Sequence, residues 1–213
     1  MPKPTRLHTG HFDRKLATLI SALLLLMAPV PALAVDLIPL LGYTGGGQFE
    51  DSDSGDQWSV DGSNSLALIL AFDSERDKQY ELLYSRQSSS LSSDDGLTST
   101  PLLDIDFHYL HFGGNYFFNG SSDLSPYVAG GIGLTWIDPK VENGNDQVKP
   151  SMNLALGLNW MLTENLGLRT EMRGYGSLMS NTTVISCDGA CNIKVAGQLL
   201  LQYQLNAGIL FRF

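Results

Sequence analysis

Beyond residue 34 the chain is short of positive charge, histidine, cysteine and long apolar runs, and each shortage excludes a class of protein. Of 13 basic and 22 acidic residues in the whole sequence, four and one fall in residues 1–34, which leaves 9 against 21 and a net charge of −12. A nucleic-acid partner calls for a basic patch, so none is expected. No apolar run reaches the roughly 18 residues that a membrane-crossing helix needs. Only His108 and His111 remain after residue 34. Three apart on a strand, they point to opposite faces and cannot chelate one metal through that spacing, so neither metal nor cofactor is expected. The two cysteines, Cys187 and Cys191, bracket a three-residue Asp-Gly-Ala segment, a spacing that suits a disulfide in an exported protein; a redox or metal role would need CxxC or more ligands.

The first residues supply the export context. Lys3, Arg6, Arg14 and Lys15 precede an apolar run over residues 16–27, and Ala32 and Ala34 are the small residues that a signal peptidase reads. That pattern predicts a cleaved signal peptide over 1–34 and one mature domain over 35–213.

What the rest does contain is alternation. In residues 201–213, Leu201, Tyr203, Leu205, Ala207, Ile209, Phe211 and Phe213 share one face, and Gln202, Gln204, Asn206 and Arg212 share the other with Leu210 as the one apolar intruder. Period two of this kind makes a strand with one apolar and one polar side. Seven further segments read alike, over residues 37–47, 58–72, 78–88, 102–118, 125–136, 152–162 and 166–177, with the eighth strand beginning near Lys194. On the second, Trp58, Val60, Leu66, Leu68, Leu70 and Phe72 share a face. Connections alternate between short (73–77, 119–124, 163–165) and long and polar (48–57, 89–100, 138–149, 181–192). In a bilayer every backbone group must be paired, so strands of this kind can cross only as a closed barrel. The expectation is all-β: an eight-stranded antiparallel up-and-down barrel, short turns and both termini on the periplasmic side, long loops outside. Phe72, Tyr80, Phe117, Phe118, Tyr127, Trp160, Phe211 and Phe213 fall at strand ends beside the short turns, with Trp58 and Trp136 opposite, as two interfacial girdles would require.

The fourth segment resists a single phase. Leu103, Ile105, Phe107 and Tyr109 share one face, while Leu110, Phe112, Tyr116 and Phe118 share the other. Either a bulge near residues 109–111 shifts the phase, or the upper half projects beyond the membrane with Asp104, Asp106 and His108 facing solvent.

The leader, the eight alternating segments and a last strand that ends on Phe213 resemble the small bacterial outer-membrane barrels of the OmpA/OmpX transmembrane-domain type, in the porin-like superfamily. The segment SPYVAGGIGLTW, from Ser125, is similar to the fifth-strand consensus of that superfamily. The resemblance implies a Gram-negative outer-membrane location, outer-membrane lipids and lipopolysaccharide as surroundings, and a terminal strand whose Tyr203, Ile209, Phe211 and Phe213 act as the signal for the barrel assembly machinery. A monomer is favoured. It says little of activity, since the superfamily holds anchors, adhesins, conduits and a few enzymes. The lipid A deacylase barrels pair a catalytic His with a Ser two residues later near the chain end, and nothing here matches.

The candidate site is the lumen. Arg169, Glu171 and Arg173 alternate along the seventh strand and would be costly against lipid, at roughly 2–4 kcal/mol for a mid-depth arginine, so they are expected inside with Glu81, Gln202, Gln204 and Asn206 as partners. Two arginines against two glutamates balance. An eight-stranded barrel holds side chains and little else, so the expected role is structural or surface-interacting, without catalysis, around a polar plug. The alternatives are a narrow conduit for small or hydrophobic solutes, and a lipid-modifying enzyme that places His108 or His111 beside a Ser or Asp. Acidic stretches at residues 50–53 and 93–95 read as solvated loop charge, with divalent-cation bridging to lipopolysaccharide as the other reading.

Overall fold

A computed structural model describes residues 34–50, 57–75, 77–94, 99–118, 123–140, 146–179, 184–187, 191–194 and 199–213. The expected leader, residues 1–34, lies outside them except for its last residue. The described strands, in chain order, are β1 (Val35–Gly45), β2 (Gln48–Glu50), β3 (Gln57–Val60), β4 (Ser63–Glu75), β5 (Lys78–Asp94), β6 (Ser99–Phe117), β7 (Leu124–Pro139), β8 (Gln147–Met161), β9 (Leu166–Leu178), β10 (Val184–Cys187), β11 (Cys191–Lys194) and β12 (Leu199–Arg212).

Eight of them close a ring in the order β1, β4, β5, β6, β7, β8, β9, β12, every pairing antiparallel. Closure joins the two ends of the described chain, from Asp36 opposite Arg212 to Gly45 opposite Tyr203. A closed ladder leaves no edge within the ring, which is what lets strands sit in hydrocarbon. Around the wall the alternation is realised as expected: Leu66, Leu154, Leu156, Leu201 and Leu205 point out and are more than half exposed, while their sequence neighbours point in. β4, β6 and β8 finish, and β5, β7 and β9 start, at the end where β1 begins and β12 finishes.

Four details differ from the sequence reading. The second segment is broken at Asp61 and Gly62 into β3 and β4. Val60 stands opposite Leu91, and Ser65 opposite Gln87, so one extra residue sits between them and the phase flips. Val60 therefore points inward, 5% exposed, whereas Leu66 points out. The stretch over residues 89–100 is mostly strand, since β5 runs on to Asp94 and β6 starts at Ser99. The last barrel strand starts at Leu199, because residues up to Lys194 belong to the separate β10–β11 hairpin. Gly46 and Gly47, between β1 and β2, have φ of 79° and 109°, a turn that side chains with a Cβ rarely adopt.

The fourth concerns β6. Its register against β7 is unbroken from Ile105 to Phe117, and against β5 from Leu103 to Tyr116, so no bulge lies near residues 109–111. One phase runs from Leu103 to Phe117, with a register shift against β5 just before it, where Pro101 pairs with Ser92. Leu103, Ile105, Phe107 and Tyr109 all point into the barrel with exposures of 7% or less, and Asp104 and His108 lie on the outer wall. Of the three residues expected to face solvent in the second alternative, Asp104 is exposed, His108 is half-buried and Asp106 is buried.

Candidate functional site

The interior changes character along its length. Along β12 the inward residues read Leu210, Gly208, Asn206, Gln204, Gln202 and Leu200, apolar at both ends and polar between. At the short-turn end, Arg212 holds the buried Asp36 through two bonds of 2.8 and 2.9 Å, and Gln79 donates to the same carboxylate. Ile38, Ile69, Ala71 and Leu210 pack just above.

The next layer is ionic. Strand parity on β9 sends Arg169, Glu171 and Arg173 inward, and Glu81 meets them from β5. Glu81 spans the two arginines, with Oε2 to Arg169 at 2.8 Å and Oε1 to Arg173 at 2.8 Å. Glu171 lies between the same two cations, 3.0 Å from Arg169 and 2.8 Å from Arg173. All four are at most 5% exposed. The remaining valences of Glu171 are met by the Tyr127 hydroxyl at 2.7 Å and the Asn206 amide at 3.1 Å, and Arg173 also donates to Asn153. Arg169 lies 4.3 Å over the Tyr127 ring. Charges this deep persist only when paired and hydrogen-bonded, and here nearly every one is.

Gln202 and Gln204 face the lumen but form a separate layer. Tyr175 donates to Gln204 at 2.6 Å, Gln204 donates to Ser65 at 2.5 Å, and Tyr109 donates to Gln202. The Tyr109 and Tyr175 rings stack 4.2 Å apart. Beside them His111 Nε2 is 2.7 Å from Ser151 Oγ. Above this layer the lumen is filled by Val60, Leu91, Leu103, Ile105, Phe107, Ile137, Met179 and Leu200, each 7% exposed or less. Among the described residues the polar layers therefore occupy one part of the lumen, and an apolar cluster occupies the end away from the termini.

The aromatic assignment needs two corrections, Tyr127 and Phe117. Tyr127, placed in a girdle by its position near a strand end, is a lumen residue 1% exposed, and Phe117 packs on it. Its parity with Ala129 and Gly131 was the signal. Gly157 makes room for it, since a Cβ there would stand 2.4 Å from the Tyr127 ring. Asn153 was likewise readable as inward but not as a ligand of Arg173.

On the outer wall at the end away from the termini, Arg86 and Lys140 converge on Asp106 at 2.8 and 3.3 Å, Lys140 also meets Asp138, and Tyr84 bonds His108 Nδ1 at 2.9 Å. Tyr203, Ile209, Phe211 and Phe213 all point outward, Phe213 the most exposed. The backbones of Cys187 and Cys191 are direct cross-strand partners in the β10–β11 hairpin; their side chains lie outside the described residues. Trp58 likewise has no described side chain. Among the described residues no group of three His, Cys, Asp or Glu side chains is placed to hold a metal.

A closed eight-stranded ring of this size is shared with solved structures. The outer-membrane protein OprG of Pseudomonas aeruginosa superposes with a TM-score of 0.62 at 17% identity, covering 85% of this chain and 96% of that one. Neisserial surface protein A gives 0.58 at 14%, covering 84% and 99%. A major outer-membrane protein of Thermus thermophilus gives 0.51 at 13%, covering 84% and 99%. The fold is that of the small outer-membrane β-barrels. At these identities the likeness is one of architecture alone. No protein-family model and no curated sequence matches this barrel.

Proposed function

We propose that the protein is an integral barrel of a Gram-negative outer membrane, with a structural or surface-interaction role and a lumen that passes no solute. The observation that carries this reading is the filling of the interior, by Glu81, Arg169, Glu171 and Arg173 in one layer and by Ile105, Phe107, Leu103 and Leu200 in another, all 7% exposed or less. Residues 1–34 are the cleaved leader, both termini face the periplasm, and the connections at the opposite end face outward. Phe213 and the outward residues of β12 serve the barrel assembly machinery, and the barrel is a monomer among outer-membrane lipids and lipopolysaccharide. Among the described residues His111 meets Ser151 but its Nδ1 has no hydrogen-bond partner, so none of them is an acid that orients the ring as a nucleophile's base requires.

A narrow conduit is the second reading. It is favoured by Asn115, Asn159 Oδ1 and Arg169 Nη1, buried polar atoms without protein partners, which a hydrated passage would satisfy. Liposome swelling separates the two. Refolded protein is expected to leave vesicles as impermeable to small sugars and amino acids as protein-free vesicles; swelling that scales with protein content overturns the sealed reading in favour of the conduit.

A further inference from the structure

On the side of the ionic layer that faces the termini, four buried polar side chains keep atoms that no described residue pairs. Gln79 Oε1, both amide atoms of Asn115, Asn159 Oδ1 and Arg169 Nη1 have no hydrogen-bond partner among the described residues, and all four side chains are 5% exposed or less. They belong to one layer. Gln79 and Asn115 are cross-strand partners on β5 and β6, and Asn159 and Arg169 are partners on β8 and β9. Arg169 bonds Glu81, the next inward residue after Gln79, so the two pairs adjoin the same ion contact. Between them, on β7, stands Tyr127, its ring against the Arg169 guanidinium and beside Phe117. Buried polar atoms cost stability unless something pairs with them, and here several free donors and acceptors are gathered at one level.

Asn115 sets the chemistry. Of its inward neighbours, Gly113, Phe117 and Ala129 carry no side-chain group able to pair with it. Its carbonyl oxygen and its NH2 therefore stand free side by side, an edge that a second carboxamide matches with two parallel bonds. The atoms around it fix the polarity. Gln79 Nε2 donates to Asp36 at 3.0 Å and to Asp73 at 2.8 Å, which orients the amide and leaves Oε1 as an acceptor. Arg169 can only donate. We propose that this layer is a binding site for a small uncharged amide of the urea or acetamide kind, its NH2 turned to the free oxygens and its carbonyl oxygen turned to Asn115 Nδ2 and Arg169 Nη1. Charged ligands of the same size are disfavoured from both sides, an anion by Glu81, Glu171 and Asp36 and a cation by Arg169. Entry is from the end that carries the termini, where Phe117 and Met161 are only half-buried. The inference rests on the packing of this one layer, and it holds for a sealed barrel and for a conduit alike.

The test is solution NMR of the full refolded barrel in bicelles, reading the side-chain amide signals of Asn115 and Asn159. The probes are acetamide, acetate and acetamidinium, which share one shape and differ in charge. Acetamide is expected to shift both signals saturably, with half-saturation at about 1–10 mM, as suits so small a ligand. Acetate and acetamidinium should leave them in place, and the amides of Gln202 and Gln204, which already have partners, should not respond to any probe. Asn115→Leu, which keeps the size and removes the hydrogen-bonding edge, should abolish the acetamide response at Asn159. Heat-modifiable migration checks that the variant is folded, and the titration of the unmodified barrel decides the matter without it. An equal or stronger response to acetate overturns the proposal in favour of an anion held by Arg169. Amide signals that cross-relax with water and ignore all three probes also overturn it, since water alone would then pair these atoms. A response at Asn159 that survives Asn115→Leu does the same. Vesicle swelling reads passage through the lumen separately, so a conducting barrel with an Asn115-dependent acetamide site would leave this inference standing.

Discussion

At the scale of single residues the lumen is a set of mutual obligations. Glu171 receives bonds from Arg169, Arg173, Tyr127 and Asn206, so its loss leaves two buried cations to share the single carboxylate of Glu81. Glu171→Ala is expected to lower stability by about 3–5 kcal/mol, the usual cost of removing one side of a buried pair, and to move the urea midpoint clearly downward. An unchanged midpoint would mean that solvent already screens the arginines. Tyr127→Phe removes one bond to a carboxylate but keeps the ring beneath Arg169, so a smaller loss of about 1.5–3 kcal/mol is expected in the same titration. The ionic layer was legible from Arg169, Glu171 and Arg173 alone, because alternating charge on a strand of a membrane barrel has only one place to go. Its aromatic member was hidden: Tyr127 sits near a strand end, where position suggests a girdle and only parity points inward.

At the scale of strands, β12 and β6 show why alternation reads clearly in one place and misleads in another. Period two identifies a strand, but which face is buried depends on the solvent outside. Along β12 the apolar Leu201, Tyr203 and Leu205 point out, as a hydrocarbon surround favours, whereas along β6 the apolar Leu103, Ile105 and Phe107 point in, as a water surround would favour. A strand that crosses both media keeps one phase while the meaning of that phase inverts. That is why β6 looked out of register; Val60 was assigned to the wrong side for another reason, the extra residue near 61–62 that flips the phase. Phe107→Ala should therefore cost about 3–5 kcal/mol as a core deletion, whereas Phe112→Ala, on the lipid side and 56% exposed, should cost much less in paired urea unfolding. Equal costs would contradict the single phase. The end of β12 carries a separate expectation: deletion of Phe213, or Phe213→Ser, should leave export intact and depress the heat-modifiable form in outer-membrane fractions. A normal yield of that form would remove the assembly role. In the β10–β11 hairpin, the pairing of Cys187 with Cys191 is expected to yield a disulfide, seen by mass spectrometry as two thiols that alkylate only after reduction, with little change in barrel stability because so short a loop restricts the unfolded chain little.

At the scale of the molecule, the barrel is a ring closed by β1 against β12 around an interior lined, among the described residues, by buried ionic, polar and apolar side chains. The proposed seal needs the apolar cluster as well as the ionic layer, because an ionic layer alone could coexist with water, whereas Ile105 and Phe107 are 0% exposed. The central claim, that this barrel is sealed, is therefore a claim about both layers together. Planar-bilayer recording from refolded protein tests it most directly. A flat baseline with no steady current steps is the predicted result, and reproducible, long-lived unitary conductance in the unmodified protein would contradict it.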